Sequence, residues 1–206
     1  MTVTQNAIKA TAVFLREWAR NPLEVAAVTP SSTGLARLMA SEISSETGPV
    51  LEIGPGTGAF TAQLLANGVA PQDLTMLEKN SSFVRMLKRE FPAVRVVNTD
   101  VAEVDLTTLT CGRPYGAVVS GLGLPSMEQR VVAGMLRRIF QHMSGDGAFY
   151  QFTYGLRCPV PARLMRALGL RTEKLGSIWW NCPPAAVYRI SRAAGHRRGS
   201  ARSWRS

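Results

Sequence analysis

The chain has 206 residues, 24 Lys and Arg against 14 Asp and Glu, a net charge of +10 and 46% hydrophobic residues, with a pI of about 10.4. At this length a single core buries roughly 70% of the surface that the unfolded chain exposes, so one domain needs neither disulfides nor a structural metal. Cys111, Cys158 and Cys182 form no CxxC pair and have only His142 and His196 beside them, which excludes a disulfide framework and a zinc cluster and favours a reducing, cytosolic setting.

No apolar run approaches the roughly 20 residues that cross a bilayer. Arg16, Glu17 and Arg20 interrupt any signal-peptide core, so neither a membrane span nor a secretion leader is expected. The excess positive charge is compatible with nucleic acid, with an anionic membrane surface and with plain solubility.

Residues 5–20 contain no Gly or Pro, and Asn21-Pro22 closes the stretch as a helix stop. At about 100° per residue, Ile8, Thr11, Phe14, Leu15 and Trp18 share one side while Lys9, Arg16 and Arg20 gather opposite. This predicts a basic amphipathic helix within residues 1–22. It can lie in a membrane interface with Phe14 and Trp18 buried, or pack its stripe on its own domain. Val28-Thr29-Pro30-Ser31-Ser32 follows, with Ser31 or Ser32 as N-cap of a periodic segment, carrying Leu35, Leu38 and Met39, that runs through Ile43.

From there strand-like and helix-like segments alternate. The pattern predicts strands at 49–54, 73–78, 94–98 and 116–121 and helices near 58–67, 80–90 and 126–142, which means an α/β fold with a parallel sheet covered by helices on both faces. Gly147 to Tyr154, Leu175 to Trp180 and Ala185 to Ile190 read as three more strands. The short Cys182-Pro183-Pro184 link makes the last two an antiparallel hairpin. The Trp179-Trp180 pair either lines the substrate mouth or fills that hairpin's core, and the large area a Trp buries favours the core. The domain is expected over 23–190, and 191–206, with Arg192, Arg197, Arg198, Arg202 and Arg205 and no acid, as a disordered basic tail.

The most informative segment is Val50-Leu51-Glu52-Ile53-Gly54-Pro55-Gly56-Thr57-Gly58-Ala59-Phe60, an apolar strand running into a Gly-x-Gly-x-Gly turn and then a helix. Glycines at alternate positions let a ligand approach the backbone with no Cβ in the way. No Gly-Lys-Ser/Thr follows, which excludes a P-loop. Glu78 ends the next strand about 20 residues on, where an adenosine ribose presents its hydroxyls. Asp100 ends the strand after that, where it could accept from an adenine amino group. Glu52, Glu78 and Asp100 thus converge on the crevice where open α/β sheets bind ligands.

These residues resemble the class I S-adenosylmethionine-dependent methyltransferases, with LEIGPGTG as the cofactor loop. The resemblance implies a Rossmann-like sheet of seven strands with the last antiparallel. It assigns the cofactor to Ser31, Ser32, Glu52, Gly54, Gly56, Gly58, Glu78, Lys79, Asp100, Val101 and Ser120, and implies no metal. Val119-Ser120-Gly121-Leu122-Gly123-Leu124-Pro125 ends the strand facing the transferred methyl and lacks the Asn and Tyr of base-methylating relatives. That counts against a flipped base as acceptor. The motifs Thr29-Pro30-Ser31-Ser32, Ser120-Gly121-Leu-Gly-Leu-Pro125, Tyr150-Gln151-Phe152-Thr153-Tyr154-Gly155 and Trp180-Asn181-Cys182-Pro183-Pro184 are similar to the short, soluble bacterial phospholipid N-methyltransferases.

That resemblance implies methylation of phosphatidylethanolamine toward phosphatidylcholine by a cytoplasmic protein, peripheral on the inner face of the cell membrane, with no nucleic acid and no obligate protein partner. Ser120, Gly121, Tyr150 and Tyr154 would orient the lipid amine, and Arg157 and Trp18 would meet the head group and the bilayer. Tyr150 and Tyr154, four apart in a strand, would face the same way. The rivals are an RNA adenine methyltransferase, for which the high pI is the electrostatic footprint, a small-amine methyltransferase, and a non-catalytic surface protein.

Overall fold

The computed structural model describes residues 30–110, 112–155, 157–179 and 184–193. In chain order these form α1 (Pro30–Met39), β1 (Val50–Ile53), α2 (Ala59–Ala66), β2 (Leu74–Glu78), α3 (Ser81–Glu90), β3 (Arg95–Asn98), the short α4 (Thr107–Thr110), β4 (Tyr115–Ser120), α5 (Gln129–Gln141), β5 (Met143–Tyr154), α6 (Ala162–Ala167), β6 (Leu170–Ile178) and β7 (Ala185–Arg192). The seven strands make one sheet in the order β3-β2-β1-β4-β5-β7-β6. The first five are parallel, and β7 lies between β5 and β6, antiparallel to both. The expected final hairpin is therefore β6–β7.

Alternation along each strand sorts side chains into two cores. Val50, Met76, Val119, Tyr150 and Phe152 pack under Met39 of α1, Leu64 of α2 and Leu87 of α3. Leu51, Leu77, Val118 and Phe149 face α5 through Leu136 and Ile139 and α6 through Met165. Because β1, β2 and β4 are buried on both faces, they read as largely apolar runs, as parallel strands do, whereas β3, at the sheet's edge, exposes Arg95 and Asn98. The register pairs Ile53 with Ser120, Glu78 with Asn98 and Ser120 with Gln151. The carboxyl ends of β1, β2, β3 and β4 thus line one edge, and β5 runs three residues further.

Several expectations are corrected. α1 is described from Pro30, so Ser31 and Ser32 lie within the helix instead of capping it. α5 starts at Gln129, after a 3-10 turn at Leu124–Ser126 that Pro125 opens. β5 and β6 begin four and five residues earlier than the apolar pattern indicated, since edge-facing polar residues extend a ladder without an apolar signal. Trp179 is 63% exposed instead of filling the hairpin core. Ser191 and Arg192 belong to β7 and not to the tail: the Arg192 guanidinium donates to the carbonyls of Phe140, Met143, Ser144 and Gly145, closing the end of α5 onto the sheet. The expected helix of residues 1–22 and the rest of the tail lie outside the described residues.

Candidate active site at the carboxyl edge of the sheet

The turn after β1 is built on left-handed backbone, with φ of +66° at Gly54, +56° at Gly56 and +82° at Gly58. Each glycine has a different reason. A Cβ on Gly58 would lie 2.5 Å from the Phe91 ring, and one on Gly54 would lie 3.0 Å from Leu122 Cδ2. Those two are needed for packing. A Cβ on Gly56 would meet nothing within 4 Å, so that face of the turn is open space, as a backbone cradle requires.

Glu52 lies in the middle of the buried face of β1 and is fully buried. Its Oε2 accepts from Thr61 Oγ1, in the first turn of α2, at 2.6 Å. Its Oε1 is buried with no partner among the described residues. Loss of hydration therefore pushes this carboxyl from 4.5 up to about 7, with the Thr61 hydrogen bond pulling the other way. Glu78 closes β2 and reaches back over the turn: Oε2 accepts from Gly56 N at 3.3 Å and Oε1 from Asn80 N at 2.7 Å. A carboxylate offers about four acceptor positions, so two remain for a diol. Asn80 caps α3 by accepting from Ser82 N and Phe83 N.

Asp100 follows β3. Its Oδ1 accepts from Ala102 N at 2.9 Å, and its Oδ2 pairs with Lys79 Nζ at 3.0 Å. These two partners hold its carboxyl below the usual carboxylate range. Val101 beside it is 7% exposed and belongs to the second core. The Arg138 guanidinium of α5 donates to the carbonyls of Val101, Ala102 and Val104, fixing the turn that carries Asp100.

On the acceptor side, β4 ends in Ser120, fully buried, whose Oγ accepts from Leu122 N at 3.3 Å. Gly121 passes so close to the first turn that a Cβ on it would lie 2.2 Å from the Gly54 carbonyl, and its N–H donates to Ile53 O at 2.8 Å. The loop's carbonyls are unevenly engaged. Leu122 O accepts from Leu124 N and from Gln151 Nε2, both at 2.9 Å, and Gly123 O from Ser126 N and Oγ at 3.0 and 2.7 Å. Among the described residues no donor is paired with Gly121 O. Leu122, Gly123, Pro125, Phe152, Thr153 and Tyr154 line a small cavity beside this loop. Phe152 stands edge-to-face with Phe60 of α2 at 5.8 Å and with Tyr154 at 5.4 Å, and burial pushes the Tyr154 phenol up.

The two tyrosines do face the same core, but not the same place. Four residues of strand separate them by about 13 Å. Tyr154 stands at the edge beside the cavity, whereas the Tyr150 hydroxyl donates to Glu42 Oε2, in the turn after α1, at 3.0 Å. Glu42 also lies 3.4 Å from Arg189 Nε. Burial raises the Tyr150 phenol far above its ordinary value, and the group is committed to the layer under α1. Arg157 is exposed, two residues beyond Gly155; Trp18 lies outside the described residues. Thr61, Arg138 and Gln151 escape sequence reading because their partners are set by packing, although Gln151 as a lone amide in the apolar run Ala148–Phe152 is a visible anomaly.

The residues present fit S-adenosylmethionine: an open glycine cradle, a carboxylate with acceptor capacity at the end of β2, and a buried carboxyl with an unpaired oxygen where a cation would compensate it. Among the described residues no cluster of metal-ligating side chains occurs.

Residues 35–119 match the family model of ribosomal RNA adenine dimethylases. An ornithine lipid N-methyltransferase from Singulisphaera acidiphila is 32% identical over 149 residues, covering 68% of this chain and 76% of its own. A ribosomal RNA small subunit methyltransferase A from Chlorobium luteolum is 35% identical over 65 residues, 32% of this chain and 23% of its own. Among solved structures, the glycopeptide N-methyltransferase MtfA with S-adenosyl-L-methionine superposes with a TM-score of 0.57 at 16% identity, covering 78% of this chain and 94% of its own.

Proposed function

The chain belongs to the class I S-adenosylmethionine-dependent methyltransferases, and on that premise we propose that it N-methylates the amine head group of a membrane lipid, with phosphatidylethanolamine and its mono- and dimethylated forms as acceptors. The observation that carries the reading is the acceptor side of the site. It leaves the Gly121 carbonyl without a donor among the described residues, it adjoins a small cavity lined by Phe152 and Tyr154, and it lacks the Asn and Tyr that would hold a flipped base. The ribosomal RNA adenine dimethylase match ends at residue 119, one residue before Ser120. That likeness covers the cofactor half and stops short of the acceptor loop. The ornithine lipid relative, by contrast, is similar over 149 residues and makes an ornithine-type lipid amine the natural second acceptor.

When bound, S-adenosylmethionine would supply an electrophilic methyl on a sulfonium: the N–C bond forms as the S–C bond breaks in line, the neutral thioether S-adenosylhomocysteine leaves with that electron pair, and the ammonium's proton passes to water before attack. The protein's work is position, with reacting atoms held roughly 3 to 3.5 Å apart. Glu52, Glu78 and the Gly56 cradle hold one partner, and Gly121 O accepts an N–H of the other, turning its lone pair toward the transferred group. The ring faces of Phe152 and Tyr154 favour an increasingly methylated ammonium by cation–π attraction. Access fits a lipid surface: Ile178 pairs with Ala185, which pairs with Tyr154, so the exposed Trp179 stands at the same edge as the cavity. Arg130 and Arg163, at the starts of α5 and α6, and Arg157 are exposed along that edge, as interfacial aromatic and basic anchors would be. The proposed place of work is the cytoplasmic face of the membrane, with no nucleic acid partner.

The test is transfer of labelled methyl to vesicles of phosphatidylethanolamine with anionic lipid, with ornithine lipid vesicles, free ethanolamine and ribosomal RNA as parallel acceptors. Label in lipid extracts, lost in Glu52→Ala and reduced by salt, is expected. Label confined to RNA or to free amine overturns the lipid reading.

A further inference from the structure

We propose that Gln151 is the positioning residue of the acceptor loop, its side-chain amide pinning the Leu122 carbonyl so that Gly121 O, and not Leu122 O, meets the acceptor nitrogen. The identity of that nitrogen rests on the lipid-amine reading above; the geometry does not. Gln151 is fully buried in β5, level with Ser120 in the register. Its Nε2 donates to Leu122 O at 2.9 Å and to Phe152 O at 2.7 Å. Both partners are carbonyls, so only this orientation of the amide places donors against them.

Its Oε1 is buried with no partner among the described residues. A half-satisfied amide in a core is more costly than a leucine of similar volume, so stability alone does not explain a glutamine here. What it adds is control of an irregular turn. Beyond the Gly121 N–H, which donates to Ile53 O, the loop has no bond to a neighbouring strand's backbone among the described residues. Ser120 Oγ takes the Leu122 N–H, the Gly121–Gly54 approach holds one side, and Gln151 reaches across from the next strand to hold the other. Removing that reach leaves the Leu122 carbonyl held by the Leu124 N–H alone, so that it can turn and compete with Gly121 O for the acceptor's N–H. Leu122 also packs against Gly54, so a shifted Leu122 would disturb the junction of the two halves of the site.

The experiment uses the full chain, with Gln151→Leu and Gln151→Glu compared with wild type. In the presence of S-adenosylhomocysteine, amide exchange protection at Leu122, Leu124 and Ser126 is expected to fall about tenfold in Gln151→Leu, the equivalent of one hydrogen bond, while protection of β1 and β4 is kept. S-adenosylhomocysteine should bind within about threefold of wild type, and kcat should fall toward a hundredfold, the scale of a misplacement of about 1 Å. Gln151→Glu is the discriminating variant. Its carboxylate faces two carbonyls and repels them, whereas its protonated form donates one hydrogen bond, so loop protection should return as the pH is lowered. Unchanged loop protection in Gln151→Leu, or protection lost evenly over the sheet together with ligand affinity, overturns the proposal. Failure of the wild-type protein to methylate any aminolipid overturns the lipid reading instead, and the exchange measurement still decides the role of Gln151.

Discussion

Replacing Glu52 by Gln should remove a pH dependence that this one carboxyl builds into the fold. The side chain is fully buried, with one oxygen on Thr61 and the other unpaired, and it stays protonated from 4.5 up to about 7. In the unfolded chain the same group ionises near its ordinary value. Between those limits the folded state binds the extra proton, so stability is greatest below pH 4.5, declines as the pH rises through the window and levels off above about 7. A difference of one in pKa is worth about 1.4 kcal/mol, and the interval corresponds to about 3 kcal/mol. Urea unfolding of wild type and Glu52→Gln, without cofactor, from pH 4.5 to 8 reads this directly: the wild-type stability minus the variant's should fall by about 3 kcal/mol. The amide has no proton to lose, and taking the difference cancels every other titrating group. Cofactor binding supplies the opposite sign. A cation beside Glu52 favours the carboxylate, so wild-type affinity should strengthen as the pH rises toward 7 and become flat above it, while Glu52→Gln shows no such rise. A stability difference that does not change with pH would refute the claim that Glu52 is buried as a neutral acid.

Gly56→Ala and Gly58→Ala should separate binding from stability. At Gly56 the added methyl enters open space, so the fold loses about 1–2 kcal/mol to left-handed strain, and calorimetry should show affinity for S-adenosylhomocysteine down roughly tenfold or more. At Gly58 the methyl would lie 2.5 Å from Phe91. Strain and overpacking together cost about 2–5 kcal/mol, lowering the melting temperature by about 5–15 °C, with partial recovery in Gly58→Ala/Phe91→Leu. Tyr154→Leu should lower kcat/KM for the dimethylated lipid by about 2- to 30-fold, the range of a cation–π contact, and spare the unmethylated lipid more; an equal loss on both would exclude a cation–π role. Lys79→Ala, whose side chain is 77% exposed, should leave the melting temperature essentially unchanged, whereas Asp100→Ala should weaken cofactor binding.

The order of strands and helices was legible because its signals are local. The apolar runs of β1, β2 and β4, the glycine turn and the acid closing β2 each lie within a dozen residues, and parallel pairing follows once helices separate the strands. Helix and strand starts were less legible at α5, β5 and β6, where a proline turn or an exposed ladder carries no apolar periodicity. The cofactor half of the site follows from the same local rule, since Glu52, Glu78 and Asp100 each end or adjoin a strand and parallel strands end on one edge. What only the tertiary structure decided is which of these groups are already engaged. Tyr150 and Tyr154 are equivalent in sequence, yet a hydrogen bond spanning 108 residues ties Tyr150 to Glu42. Gln151 acts through Leu122, 29 residues away, and Trp179 stands in solvent where an aromatic pair suggested core. Periodicity fixes which face of an element is apolar; the partner a buried polar atom finds depends on register and on the layer packed above it, and neither is encoded in any short window of residues.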